Sequence, residues 1–285
     1  MTQLAGKTVV VSGASRGLGA LLAKTLARHQ ARVVGVARSR SALEVVCAEI
    51  REAGGQAIAL PFDLSQSDRL PLLLQQIEAA AGPVDVLINN AGLEHYRAFQ
   101  DCTLADIQSV LSVNLVAAME LTRLMLPGWL ERRSGHIVNM TSLAGRKGHP
   151  YDSAYSASKA GLLMWGHALR QELAGTGVHI SAVCPGYVGD LGLLADSQVP
   201  APNWAGVSTA EAVVAAVVRA IQHNQAEVLI NQGPLPLFSV LTRLLLATEQ
   251  LFPTFPDITN RWLGVTRLNR QRIVPQPQSR VLMHR

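Results

Sequence analysis

The chain has 285 residues, 48% of them hydrophobic and 16% charged, with a formal net charge of +5. Such a length suits one large α/β domain with a substantial buried core. No uncharged apolar run reaches the roughly eighteen residues of a spanning helix, and the start, MTQLAGKTVVVSG, runs straight into a strand rather than forming a secretory leader, so a cytoplasmic protein is expected.

Lys7 to Ser12 reads as a β-branched strand, followed by Gly13-Ala14-Ser15-Arg16-Gly17-Leu18-Gly19 and then a helical pattern with Leu21, Leu22 and Leu26. A strand, glycine loop and helix in that order let backbone N–H groups and the helix dipole approach a pyrophosphate. The second strand, Arg32 to Ala37, ends in Ala37-Arg38-Ser39-Arg40, with no acid to meet a ribose diol. Arg38 and Arg16 are instead placed for a 2′-phosphate, which favours NADP(H) over NAD(H); solvent exposure is the alternative for either one. A helix from Ser41 to Ala53 leads through Gly54-Gly55 to a third strand, Ala57 to Pro61, and to Asp63 and Leu64. On its own, Asp63 reads as a strand-end cap for the helix from Ser67 to Ala80.

A fourth strand, Val84 to Ile88, enters Asn89-Asn90-Ala91-Gly92, where small residues admit a ligand close to the backbone. The asparagines serve the turn or the ligand. His95 reads as an exposed loop residue. A long helical stretch, Leu104 to Arg133, holds Asn114 between Val113 and Leu115, an unfavourable helix-interior residue that asks for a reason. The strand His136 to Thr141 ends at Ser142, whose hydroxyl can hold a carbonyl oxygen. In the helix from Asp152 to Leu173, Tyr155 and Lys159 are four residues apart and share a face. An ammonium beside a phenol of pKa about 10 should lower it and make Tyr155 a general acid/base. Taken alone, such a pair is more simply a surface contact.

A sixth strand, His179 to Cys184, precedes Pro185-Gly186-Tyr187-Val188-Gly189-Asp190. Leu191 to Val207 has the length of a lid, and Leu191, Leu193, Leu194 and Trp204 suggest an apolar substrate. Ser208-Thr209-Ala210-Glu211 reads as a capping box for a helix to Gln222, and Glu227 to Ile230 as a seventh strand. Residues 1–232 thus form the catalytic unit, 233–273 an apolar helical extension and 274–285 a disordered tail. In the extension, Leu237, Phe238, Leu241, Leu244, Leu245 and Leu251 lie between Pro236 and Pro253. Packing on the domain or on a second subunit is the default for them, and a monotopic membrane contact the lesser alternative. Arg261, Arg267, Arg270, Arg272, Arg280 and Arg285 supply the positive excess as a solvated tail, which argues against a nucleic-acid partner. Cys47, Cys102 and Cys184 lack ligand spacing and read as reduced thiols, so no metal is expected.

Together these motifs resemble the short-chain dehydrogenase/reductase family across roughly residues 7 to 231: GxxxGxG at Gly13, Gly17 and Gly19, NNAG at 89–92, then Asn114, Ser142, Tyr155 and Lys159, and PG-x-V at 185–188. The resemblance implies a doubly wound parallel sheet, the Rossmann fold, and interconversion of a carbonyl and a secondary alcohol. It implies that Ser142 steadies the oxygen, Tyr155 transfers the proton, Lys159 holds the ribose and Asn114 anchors a water chain through a local helix distortion. It also implies cofactor contacts at Gly13, Ser15, Arg16, Gly17, Leu18, Gly19, Arg38, Asp63, Leu64, Asn90, Ala91, Gly92, Tyr155, Lys159, Pro185, Gly186 and Val188, and a homodimer or tetramer. Asp190 departs from the pattern, standing where many members have a Thr, and either meets the nicotinamide carboxamide or turns outward. The rivals are a dinucleotide-responsive binding module without turnover, a peripheral membrane reductase of a lipid ketone, and an epimerase or dehydratase; the intact Ser-Tyr-Lys set disfavours the first, and the glycine spacing the last.

Overall fold

All seven expected strands form in the structure, a computed structural model that describes residues 2–202, 205–233, 238–252 and 254–273. In chain order the first half runs β1 (Thr8–Ser12), α1 (Gly17–Arg28), β2 (Arg32–Ala37), α2 (Arg40–Glu52), β3 (Gln56–Pro61), α3 (Leu70–Ala81) and β4 (Val86–Asn89). The second half continues with α4 (Leu104–Leu111), α5 (Ala117–Arg132), β5 (Gly135–Met140), α6 (Ser153–Glu172), β6 (Val178–Pro185) and β7 (Tyr187–Val188). It ends with α7 (Leu193–Ser197), β8 (Val207–Ser208), α8 (Ala210–His223) and β9 (Glu227–Ile230), and the extension adds α9 (Phe238–Leu251), α10 (Phe255–Trp262) and α11 (Val265–Gln271). The main sheet is parallel throughout, in the order β3-β2-β1-β4-β5-β6-β9, so the chain reverses direction between β1 and β4 and opens a crevice at their C-terminal ends.

Successive strand residues point to opposite faces, and both faces are covered. Val9, Val11, Val33 and Val183 pack with α1, α2 and α8, whereas Val10, Val34, Leu87 and Ile137 pack with α3, α5 and α6. This two-sided burial explains the nearly unbroken apolar runs of β1 and β2. The stretch Leu104–Arg132 is long and apolar enough to cross a membrane by composition, but here its inner face packs on α3 and α6.

Several boundaries depart from expectation. The helix around Asn114 is one continuous stretch with a π-helical turn at Ser112–Val116. At α8 the cap is Thr209, whose hydroxyl accepts from Ala212 N–H at 3.2 Å; Ser208 instead accepts from Gln232 N–H at 3.1 Å, so Ser208 and Glu211 form no capping box. The reciprocal box occurs at Thr103 and Asp106, ahead of α4. The segment 191–207 carries the short α7, and β7 pairs with β8 across its base. Trp204, the residues 234–237 and Pro253, and with them the expected tail 274–285, lie outside the described residues.

Candidate active site

The glycine loop brings three backbones together because side chains are absent there. A Cβ on Gly19 would lie 2.0 Å from Gly13 O, and one on Gly13 would lie 2.9 Å from Ala91 Cα. Gly13 and Gly17 also have φ of +69° and +56°, a region costly for other residues. No side chain caps α1, so its first N–H groups face the crevice. Ser15, Leu18, Arg38, Asp63, Leu64 and Gly92 line the same cavity, whose volume of about 1710 Å³ exceeds that of a usual single-ligand pocket. A nucleotide diphosphate fits this chemistry: helix N–H groups for phosphate, and a basic, acid-free end of β2. Arg38 is exposed, with no ion pair among the described residues, whereas Arg16 is paired with Asp196 of α7. Arg16 therefore ties the glycine loop to the segment 191–207 instead of standing free for a phosphate.

Asn90 serves the turn: its side-chain N–H₂ donates to Ser12 O at 2.9 Å, and its backbone N–H donates to the Ser12 hydroxyl at 2.9 Å. Asp63 closes a local turn by accepting from Ser65 N–H at 3.0 Å, and Gln66 rather than Asp63 precedes the helical turn at Ser67–Arg69. Asn114 is buried and bonded through both ends of its amide, accepting from Leu93 N–H at 2.7 Å and donating to Leu93 O and Ser158 Oγ. Its side chain thus holds the loop after Gly92 while the π-turn supplies the backbone distortion.

Ser142, Tyr155 and Lys159 converge on the cavity, from the end of β5 and one face of α6. The Ser142 hydroxyl neighbours the Tyr155 phenol, where it favours the charged form, and accepts from Ala144 N–H at 3.1 Å. Lys159 Nζ donates to Met140 O at 2.8 Å and lies 5.6 Å from the Tyr155 ring centre. Burial pulls the Lys159 ammonium down to about 8, opposed by the Glu94 carboxylate. Burial pushes the Tyr155 phenol up, as do Glu94 and Asp152, against the opposing effect of the Ser142 hydroxyl. The expected lowering of Tyr155 by Lys159 is therefore outweighed: desolvation and two nearby carboxyl groups favour the neutral phenol. A neutral phenol is a proton donor, the form needed to protonate a carbonyl oxygen.

The description "short chain dehydrogenase" matches residues 7–194, a span that holds the glycine loop, Asn114, Ser142, Tyr155 and Lys159. The chain belongs to the short-chain dehydrogenase family. It is 53% identical over 272 residues to the ketoacyl reductase HetN of Nostoc sp., covering 95% of this chain and 94% of that one. It is 36% identical over 189 residues to a 3-oxoacyl-[acyl-carrier-protein] reductase of Synechocystis sp., covering 66% and 76% respectively. A solved metagenomic short-chain oxidoreductase in complex with NADP superposes with a TM-score of 0.70 at 34% identity, over 81% of this chain and all of that one. Membership in the short-chain dehydrogenases makes the chain an oxidoreductase.

Against this family background, Asp190 finds its place outside the carboxamide question: its carboxylate accepts from Ala210 N–H at 3.0 Å, at the positive end of α8. Sequence reasoning missed a buried polar cluster beside Tyr155. Asp152 is 1% exposed, and as a carboxylate neither of its oxygens is offered a donor among the described residues. It lies against Glu94, and a proton shared between the two lets one donate to the other. Burial pushes both up, Asp152 to about 10.

Arg272, expected in a solvated tail, is instead 4% exposed and is the counter-charge to this pair. Its guanidinium lies 5.3 Å from the Tyr96 ring and 5.7 Å from the Tyr187 ring, and donates to Pro200 O at 2.9 Å and Val199 O at 3.3 Å. The extension is pinned to the loop between Ser142 and Tyr155 as well. Lys147 pairs with Glu249 and donates to Thr259, and Asn269 donates to Pro150 O at 2.9 Å. No local pattern marks these partners, because each pair joins positions about a hundred residues apart.

Proposed function

We propose that the protein is an NADP(H)-dependent reductase that interconverts a carbonyl group and a secondary alcohol on an apolar substrate. The observation that carries this reading is the opening of Ser142, Tyr155 and Lys159 into one cavity that the glycine loop also lines, together with Leu193, Leu241, Leu245 and Leu263. A bound dinucleotide supplies or accepts hydride. Ser142 donates a hydrogen bond to the substrate oxygen, and the neutral phenol of Tyr155 gives that oxygen its proton. Lys159 holds its proton below about pH 8 and, through its charge, steadies the phenolate left behind. Arg38, exposed at the end of β2 where no acid stands, supports preference for the 2′-phosphate form.

Apolar side chains left open on α5 and α6, Met119, Leu130 and Met164, support a homodimer or tetramer formed through those helices. Free thiols at Cys47, Cys102 and Cys184 agree with a cytoplasmic compartment. The test is a panel of ketones with NADPH oxidation followed optically, run on the parent and on Tyr155→Phe. Turnover should fall roughly 10²–10⁴-fold while NADPH affinity is kept. Full turnover by Tyr155→Phe would overturn the assignment.

A further inference from the structure

The extension presents two apolar faces, and only one is used by the fold. On α9, Phe238, Thr242, Leu245 and Glu249 face the cavity. Val240, Leu244 and Leu251, at helical spacing on the other side, are 50%, 61% and 76% exposed. Phe252 follows at 61%, and on α10 Ile258 and Trp262, one turn apart, are 62% and 80% exposed. A buried-core helix would not leave such side chains in water, and exposed leucines, a phenylalanine and a tryptophan together form a patch that asks for an occupant.

We infer that this face of α9 and α10 docks on an anionic lipid surface and that the apolar substrate enters the cavity from that surface. Three observations favour lipid over a second copy of the chain. Exposed Arg243 and Arg261 sit among the apolar residues, with Asp257 as the exposed acid nearby, and Arg267 and Arg270 extend the basic rim on α11. An apolar stripe flanked by arginines with tryptophan at its edge is the composition of an interfacial helix. Ile258 and Trp262 line the cavity and are also among the more exposed large apolar side chains of the described residues, so the cavity opens within the patch itself. A second copy seated there would close that opening. Moreover, the helices proposed for self-association, α5 and α6, belong to the sheet-covering layer and not to the extension.

The docking claim stands apart from turnover, whereas the entry route rests on the reductase reading above. The experiment is flotation of the full chain with vesicles of phosphatidylcholine alone and of phosphatidylcholine with about a third phosphatidylglycerol, because each arginine near an anionic surface strengthens binding several-fold. The parent should float with the anionic vesicles about tenfold better than with neutral ones. The double substitution Leu244→Glu, Leu251→Glu, at positions outside the cavity, should lose that binding by about tenfold or more. It should also keep parental turnover of a short water-soluble ketone and lose turnover of a vesicle-embedded one.

A parent that does not float, a double variant that floats like the parent, or a double variant whose mass by light scattering drops to a smaller oligomer would each overturn the inference. The last result would assign the face to a subunit contact. Flotation without turnover of any ketone would leave docking in place and sink the reductase reading instead.

Discussion

Replacing Asp152 with Asn should remove a loss of stability that the parent suffers above neutral pH. Asp152 is 1% exposed and is pushed up to about 10, by burial first and then by the carboxylate of Glu94. In the unfolded chain it titrates near 3.9, so at neutral pH the folded state keeps a proton that the unfolded state has released. The sign follows from linkage: the stability tied to that proton is complete below the unfolded value and is lost as pH climbs toward the folded one. One retained proton corresponds to about 1.4 kcal/mol per pH unit, or about 2.7 kcal/mol between roughly pH 6.5 and 8.5.

The buried histidines act in a different window. Burial pulls His136 to about 3 and His149 to about 4, so their contribution grows up to the unfolded value near 6.5 and is constant above it. Urea unfolding followed by tryptophan fluorescence, at three pH values across that range, separates the cases. The parent should lose stability, less steeply above about pH 8 where the depressed Lys159 ammonium sheds its proton in the folded state, and Asp152→Asn, in which Glu94 gains an amide donor and keeps Arg272, should show a flatter line across the range. Parallel lines for the two proteins would refute the shared proton.

Arg38→Ala should weaken NADPH binding about tenfold or more and leave NADH unaffected, as charge-assisted phosphate contacts contribute about 1.5–3 kcal/mol; equal effects in a fluorescence titration would show the phosphate site misassigned. Gly19→Ala should cost about 1–3 kcal/mol of stability and impair dinucleotide binding, since its Cβ would lie 2.0 Å from Gly13 O; a thermal melt and the same titration check both. Arg272→Leu takes the guanidinium from between two tyrosines and frees the carbonyls of Val199 and Pro200, so the segment 190–207 should become cleavable by protease and the melting temperature should fall. Unchanged cleavage there would mean that Arg272 does not hold this segment.

What the sequence determined by itself was whatever depends on neighbours along the chain. The β-branched runs, the glycine spacing and the four-residue step from Tyr155 to Lys159 each report a local backbone geometry, and the structure keeps all of them. Asn114 was legible for the same reason: a poor helix-interior residue in an apolar helix marks the π-turn at Ser112–Val116. Only the tertiary structure decided where charges go. Glu94, Asp152 and Arg272 carry no pattern separately, and only the docking of α11 beside the loop before α6 makes them one cluster.

Burial first, and then Glu94 and Asp152, reverse the expected state of Tyr155, because a pKa is set by the desolvation and charge of the folded surroundings and not by the nearest residue on the helix. The choice of Thr209 over Ser208 as cap of α8 was decided in the same way, by the demand of Gln232 N–H for the Ser208 hydroxyl. The two faces of α9 likewise read alike in sequence. Burial of one against the cavity, with the other left to solvent, depends on how the extension meets Lys147 and Pro150, contacts that span more than a hundred residues of chain.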